Sequence, residues 1–271
     1  MTGYVIRGGR PGYDRLALLA RERWPDTRAL LGQAGVSAGM RCADVGCGGG
    51  AVTLEIARLV APDGVVVGID MDAVKIGLAR QAAAGQGLGN VEFRVLDVTD
   101  WDEPGGYDAV YSRFLLQHLR DPAGLIRRMW AAVRDGGVLI AEDADFDGWC
   151  SEPASEALGL LVDVYRRVLA RHGGDQATAR RLYSYFLAAG IPEPRVRLVQ
   201  PAYEGEGRML AWSTLEATAD AILAEGLATA DELAAALASL RRLADDNSAL
   251  ICGPRVFQLW SRRDKTTARS G

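Results

Sequence analysis

Residues 44–50, Asp-Val-Gly-Cys-Gly-Gly-Gly, decide the fold, because they set an acidic side chain two residues before a glycine-rich turn. Before the turn, residues 40–45 are short and partly apolar, as a buried strand is. After it, apolar residues recur at helical spacing over residues 51–60. A strand, a tight turn and a helix in this order expose a helix N-terminus to a ligand. The stretch therefore predicts a nucleotide-binding turn, whose glycines let a ligand approach the main chain.

The turn alone leaves two cofactor classes open. Gly46, Gly48 and Ala51 also satisfy the looser dinucleotide fingerprint. A pyrophosphate would lie against Asp44, and residues 42–57 contain no arginine or lysine to offset the like charges, which disfavours a dinucleotide. The chain has no Gly-Lys-Ser or Gly-Lys-Thr sequence, so a Walker-type loop is excluded.

Acidic residues follow several of the later predicted strands. Those strands alternate with helices and cover residues 64–69, 91–95, 107–111 and 137–141. Such alternation predicts a parallel sheet, whose ligands bind outside the carboxyl ends of the strands. We therefore expect these acids to lie near the glycine turn at one edge of the sheet: Asp70, Asp97, Glu142, Asp143 and Asp145.

Six motifs follow one another along the chain. They are residues 44–50, Gly68-Ile69-Asp70, Leu96-Asp97-Val98, Tyr107-Asp108-Ala109-Val110, Leu116-Gln117-His118-Leu119 and Arg134-Asp135-Gly136-Gly137. This ordered set resembles the class I S-adenosylmethionine-dependent methyltransferases, particularly the small-molecule methyltransferases of bacteria. The resemblance is close from about residue 41 to residue 143. It implies a Rossmann-like, seven-stranded, mostly parallel sheet with helices on both faces. The residue pattern adds N-terminal helices, and long helical stretches after the fifth and sixth strands predict a helical cap.

The resemblance also implies that S-adenosyl-L-methionine is the cofactor. The glycine turn would hold its methionine part, Asp70 the ribose hydroxyls, and Asp97 with Val98 the adenine. Carboxylates suit the hydroxyl and amine donors of that molecule and its cationic sulfonium. The residues expected to bind the cofactor are Asp44, Gly46, Cys47, Gly48, Gly49, Asp70, Met71, Asp97, Val98, Ser112 and Arg113.

We predict a single methyltransferase domain over the 271 residues. An N-terminal helical segment, predicted as two helices at residues 14–22 and 25–33, precedes the core. The segments are residues 1–38 (N-terminal), 39–145 (cofactor-binding core), 146–175 and 203–248 (helical cap), 176–202 and 249–263 (rest of the core), and 264–271 (tail).

Composition narrows the class of protein. The chain is 49% hydrophobic and 24% charged with a net charge of -4, which is typical of a soluble globular protein. It has no basic stripe, so nucleic acid is not an expected partner. It has no run of ~18 apolar residues and no signal-peptide pattern, so we expect no membrane partner and a cytoplasmic protein, monomer or homodimer. The four cysteines are too scattered for a disulfide framework and lack metal-ligand spacing, so no metal is expected.

Methyl transfer is an in-line displacement that mainly needs alignment and exclusion of water. His118 is a candidate base, although a structural role at a helix start is also consistent with its motif; Asp143 is the second catalytic candidate. Candidates for binding the acceptor are Tyr4, Tyr13, Glu142, Asp145 and Trp149.

The predicted function is methyl transfer to an oxygen, nitrogen or carbon nucleophile of a small molecule, such as a secondary metabolite. Two alternatives stay open at this point. The first is a cofactor-binding enzyme of the same fold that catalyses a rearrangement or cyclisation, and the second is a non-catalytic binding protein.

Overall fold

The computed structural model describes residues 9–265, with side chains from Arg15 onward. In this part of the chain the strands are β1 (Arg41–Val45), β2 (Val65–Asp70), β3 (Val91–Val95), β4 (Tyr107–Arg113), β5 (Val133–Asp145), β6 (Cys150–Glu152), β7 (Arg195–Val199), β8 (Leu250–Cys252) and β9 (Arg255–Arg262). The α-helices are α1 (Gly9–Gln33), α2 (Ala51–Val60), α3 (Ala73–Gly85), α4 (Pro122–Ala132), α5 (Glu156–Arg171), α6 (Thr178–Ala188), α7 (Leu210–Ala224) and α8 (Ala230–Asp245).

Seven strands form the central sheet in the order β3-β2-β1-β4-β5-β9-β7. The first five pair in parallel, and β9 runs antiparallel between β5 and β7. The chain builds outward from β1 to β3 on one side and then returns to β4 on the other, so strand order reverses between β1 and β4. Ligands of open α/β sheets bind at such a switch point. The predicted seven-stranded, mostly parallel sheet is confirmed.

Helices cover both faces of the sheet, also as predicted. Side chains alternate across β1, so Ala43 and Val45 contribute to one core cluster and Cys42 to another. The first cluster includes buried residues of α4 and α6, and the second includes buried residues of α1 and α2. The switch point is thereby held between two packed layers.

Helices α5, α7 and α8, which follow β5 and were predicted as a cap, pack around a core of their own. Leu161, Leu215 and Leu240 are among its buried residues. Full burial of such a side chain contributes roughly 1.5 to 3 kcal/mol. Thr229 is the N-cap of α8, and its side chain and that of Glu232 form a capping box.

Two local predictions were wrong, and one feature was missed. The N-terminal segment forms one helix through Pro25, because buried residues on both sides, Ala20 and Leu30 among them, hold the two halves against the protein. Strand β5 continues to Asp145, since β9 pairs with it from Val138 onward. The short pair β6 and β8 was not predicted. Within residues 9–265, no helix is long and apolar enough to cross a membrane.

Candidate functional site

The glycine turn after β1 has backbone angles that only glycine adopts readily. Gly46 has φ +76° and Gly50, the N-cap of α2, has φ +75°. A Cβ atom at Gly50 would lie 2.8 Å from both the Cβ atom of Ala79 and the ring of Phe93. The turn is therefore fixed by packing beneath it as well as by its own conformation.

Asp70, at the end of β2, ties this turn to the neighbouring strand. Its Oδ2 accepts a hydrogen bond from the Gly48 backbone N–H at 2.8 Å, and its Oδ1 accepts one from the Asp72 N–H at 2.9 Å. A carboxylate has about four lone-pair sites, so two hydrogen bonds leave acceptor capacity for a ligand.

Two adjoining cavities lie at the carboxyl ends of β1, β2 and β4. The first extends from the glycine turn towards α1 and the cap, and the second, of about 520 Å³, extends towards the end of β3. A volume of that size is typical of a small-molecule site. Residues that line both cavities are Gly46, Asp70, Leu115 and His118.

The second cavity contains three of the predicted cofactor residues, Met71, Asp97 and Val98. Asp97 Oδ1 accepts hydrogen bonds from the Thr99 backbone N–H at 2.9 Å and from Thr99 Oγ1 at 2.8 Å, which fixes the carboxylate. Lys75 also lines this cavity although it is only 3% exposed. Sequence reasoning missed it, because a lysine in a helix is usually solvent-exposed.

Five further predicted cofactor residues, Asp44, Cys47, Gly48, Gly49 and Arg113, line the first cavity. Asp44 is buried and accepts a hydrogen bond from Thr53 Oγ1 at 2.6 Å. Burial raises the pKa of Asp44 to about 6, even though the hydrogen bond from Thr53 and the charge of Arg113 act in the opposite direction. Ser112 is buried and lies outside both linings.

Asp143 lies behind the site rather than in it. It is fully buried, and its carboxylate accepts hydrogen bonds from the backbone N–H groups of Gln117 at 3.0 Å and Ala144 at 2.9 Å. Burial raises the pKa of Asp143 to about 7 against the effect of these hydrogen bonds. Asp143 thus positions the short 3₁₀ helix at Leu116–His118, and the structure gives it no contact with either cavity.

His118, carried by that 3₁₀ helix, faces both cavities. Burial, followed by the positive charges of Arg15 and Lys75, lowers the pKa of His118 to about 3. The imidazole is therefore neutral at physiological pH and only weakly basic. A general base works best with a pKa near the operating pH, so this environment disfavours the base role considered for His118.

Glu142 and Asp145, predicted to contact the acceptor, lie away from both cavities. Glu142 is buried and accepts hydrogen bonds from Thr27 Oγ1 and Gln258 Nε2, each at 2.7 Å. Asp145 is fully buried and accepts a hydrogen bond from Arg255 Nη2 at 2.7 Å. Both predictions assumed that β5 ends at Ala141. Because β5 continues, these acids lie inside the sheet and hold β9 and α1 instead.

Among the predicted acceptor residues whose side chains the structure describes, Trp149 is the one that lines the first cavity. Its ring centroid lies 5.7 Å from that of Tyr203, and behind it Phe146 and Tyr165 stack at 3.9 Å. All four rings line the cavity. The two tyrosines predicted to bind the acceptor cannot be placed in the site: Tyr4 and the side chain of Tyr13 lie outside the described residues.

We call the four rings of Phe146, Trp149, Tyr165 and Tyr203 the aromatic wall. Buried polar groups line the same cavity. Gln117 is 2% exposed and lines the first cavity, and its Oε1 has no hydrogen-bond partner within residues 9–265. The same holds for the buried Nε1 of Trp149 in that part of the chain. Buried polar atoms are normally paired, so each is a potential ligand contact.

Arg15, from α1, adds a fixed positive charge to the first cavity. Its Nε and Nη2 lie 3.3 and 3.1 Å from Thr214 Oγ1 on α7, to which they donate. Sequence reasoning missed this residue and three of the four rings, because they come from separate segments that only the fold brings together. Within residues 9–265, no group of acidic, histidine and cysteine side chains has the arrangement of a metal site.

Comparison with known proteins shows the family of the chain. Residues 36–178, a little over half of the chain, match a family model described as a methyltransferase domain. The ubiquinone biosynthesis O-methyltransferase of Acinetobacter baumannii (strain ACICU) is 34% identical over 119 residues, which are 43% of this chain and 47% of that protein. The protein of the same name from Xanthomonas euvesicatoria pv. vesicatoria (strain 85-10) is 36% identical over 130 residues, which are 47% of this chain and 51% of that protein. The chain thus spans about half the length of the curated relatives it matches.

Solved structures show the same fold at lower identity. A SAM-dependent methyltransferase from Aquifex aeolicus matches with a TM-score of 0.56 and 15% identity, covering 94% of this chain and 99% of that one. The [4+2]-cyclase SpnF matches with a TM-score of 0.54 and 19% identity, covering 89% of this chain and 81% of that one. At such identities the likeness extends to the fold alone.

Proposed function

Because the chain belongs to the class I S-adenosylmethionine-dependent methyltransferases, we propose that it transfers the cofactor's methyl group to an oxygen atom of a small aromatic molecule. One observation carries the proposal: the glycine turn, the carboxylates at the strand ends and the aromatic wall line two adjoining cavities. The relatives named O-methyltransferases support oxygen as the methylated atom.

The residues present fit the cofactor. Asp44 in the first cavity suits an ammonium group, and Asp70, which lines both cavities, suits a ribose diol. Asp97 and Val98 in the second cavity suit an adenine amine and ring. When bound, the sulfonium supplies an electrophilic methyl group.

The chain's own contribution is alignment and exclusion of water. The aromatic wall would pack against a flat acceptor, while Gln117 Oε1 and Trp149 Nε1 would bind its polar groups. Well-oriented reactants can gain roughly 7 to 11 kcal/mol over the same reaction in free solution. A phenol held in this way needs no strong base in the protein, which agrees with the low pKa of His118.

We expect the affinity for S-adenosylhomocysteine to fall as the pH is lowered through about 6. Protonation of Asp44, whose pKa in the free protein is about 6, removes the negative charge that faces the ligand's ammonium. The loss approaches about tenfold per pH unit below that value, since one pKa unit corresponds to about 1.4 kcal/mol. Calorimetric titrations at pH values from about 5 to about 8 measure this change in affinity. Asp44→Asn should bind weakly with little pH dependence, and an unchanged pH slope in that variant would exclude Asp44 as the titrating group.

Replacing His118 by glutamine should leave the pH dependence of kcat unchanged between about pH 6 and pH 9, because a group with a pKa of about 3 does not titrate there. Steady-state rates of the two proteins across this range provide the comparison. A rise in the wild-type rate between pH 6 and 7 that disappears in His118→Gln would show that His118 is the base after all.

The proposed function is tested by S-adenosylhomocysteine release with a panel of phenols, aliphatic alcohols and amines. We expect release above the acceptor-free rate only with phenols, and a loss of about tenfold or more in kcat/KM for Trp149→Ala, with cofactor affinity unchanged. Faster release with aliphatic alcohols or amines would overturn the aromatic acceptor class. Failure of wild-type protein to bind S-adenosylhomocysteine at all would overturn the whole proposal.

A further inference from the structure

The short sheet of β6 and β8 brings together two cysteines from distant parts of the sequence. Cys150 and Cys252 are direct partners in its antiparallel register. Both are free thiols; Cys150 is exposed and Cys252 is half-buried. Scattered spacing in the sequence hid this pair, because the two strands that align it are separated by the whole cap.

The register places the two thiols within reach of a disulfide bond. Directly opposed residues of antiparallel strands have Cα atoms about 4.5 to 5.5 Å apart. Disulfides span Cα distances of about 4.4 to 6.8 Å. The thiols also interact in the reduced protein, since burial and a hydrogen bond with Cys150 raise the pKa of Cys252. Bond formation therefore needs little backbone movement.

The two cysteines flank the cap in the sequence, Cys150 before it and Cys252 after it. Both lie next to residues of the aromatic wall of the first cavity. All of α5, α6, α7 and α8 fall between β6 and β8 along the chain. Trp149 of the aromatic wall directly precedes Cys150. Gly253 directly follows Cys252, and a Cβ atom there would lie 2.5 Å from Tyr203 Oη of the same wall. A covalent bond at this point would close the segment that carries the cap into a loop.

We propose that Cys150 and Cys252 are a redox-modification site, in which the two thiols form a reversible disulfide with each other by exchange with a small disulfide such as oxidised glutathione. The exposed Cys150 sulfur, as thiolate, attacks glutathione disulfide and releases one glutathione thiolate. The Cys252 thiolate then attacks the mixed disulfide and releases the second. The two protons lost by the protein thiols pass to the departing glutathiones, so one disulfide is reduced as the other forms. This exchange does not depend on the proposed methyltransferase function.

The bond is tested on the full chain equilibrated with oxidised glutathione, followed by alkylation in denaturant, digestion and mass spectrometry. We expect a peptide linking Cys150 to Cys252, with Cys42 and Cys47 alkylated, and loss of the link after reduction. Cys150→Ser should abolish the link, whereas Cys47→Ser should retain it. Glutathione found singly on Cys150 or Cys252, with no linked peptide, would overturn the proposal.

A second measurement follows the structural effect of the bond. Oxidation should raise the thermal midpoint of the wild-type protein, because the closed loop restricts the unfolded chain. The same treatment should leave the midpoint of Cys150→Ser unchanged. An equal rise in both proteins would contradict a contribution from this disulfide. Cofactor titration of the oxidised protein separates the two proposals, since the link can form even in a protein that binds no S-adenosylhomocysteine.

Discussion

Replacing Asp70 by alanine weakens S-adenosylhomocysteine binding by about tenfold or more. The carboxylate lines both cavities and would accept charge-assisted hydrogen bonds from the ribose, each worth about 1.5 to 3 kcal/mol. A change of about 1.4 kcal/mol is tenfold in affinity. The substitution also removes the acceptor for the Gly48 N–H, which loosens the glycine turn. Isothermal titration calorimetry measures the change directly.

The control for this prediction is another acid next to the same strand. Asp63 is exposed and precedes β2, at the end of the strand opposite Asp70. Asp63→Ala makes the same chemical change far from the cavities and should bind with wild-type affinity. Full affinity in Asp70→Ala would remove Asp70 from the cofactor site and with it the proposed orientation of the ligand.

Replacing Gly50 by alanine should lower the free energy of unfolding by about 2 to 5 kcal/mol. A left-handed backbone angle adds about 1 to 2 kcal/mol of strain for a residue with a Cβ atom. Crowding against Ala79 and the Phe93 ring, each at 2.8 Å, adds about 1 to 3 kcal/mol. Denaturant unfolding of the two proteins measures the sum.

Gly39→Ala separates the two contributions. Gly39 has φ +82°, but a Cβ atom there would meet nothing within 4 Å. This variant should lose only the backbone part, about 1 to 2 kcal/mol. Equal losses in Gly39→Ala and Gly50→Ala would show that packing under the glycine turn contributes nothing.

The residues proposed to hold the cofactor could be picked out from the sequence because their signals are local. The glycine turn follows β1, Asp70 ends β2, and Asp97 comes two residues after β3, and parallel strands bring such ends to one edge. Glu142 and Asp145 satisfied the same rule as far as sequence could show. Their strand continues because β9, more than a hundred residues later, pairs with it. No periodicity within β5 signals that pairing.

Of the residues proposed to contact the acceptor, Trp149 was predicted from the sequence, but Arg15 and the other three rings of the aromatic wall could not be predicted in the same way. Arg15 comes from α1, Phe146 and Trp149 follow β5, Tyr165 lies in α5 and Tyr203 follows β7. Each has an ordinary local sequence, and only the packing of the cap on the sheet makes them neighbours. The pairing of Cys150 with Cys252 was hidden for the same reason.

The most direct test of methyl transfer follows the methyl group itself. The full chain is incubated with S-adenosylmethionine carrying a deuterated methyl group and with the best phenol of the panel, and all products are quantified by mass spectrometry. We predict equal amounts of S-adenosylhomocysteine and of a phenol ether that carries the deuterated methyl. A phenol converted without the label, or a product formed while S-adenosylmethionine stays intact, would contradict the account.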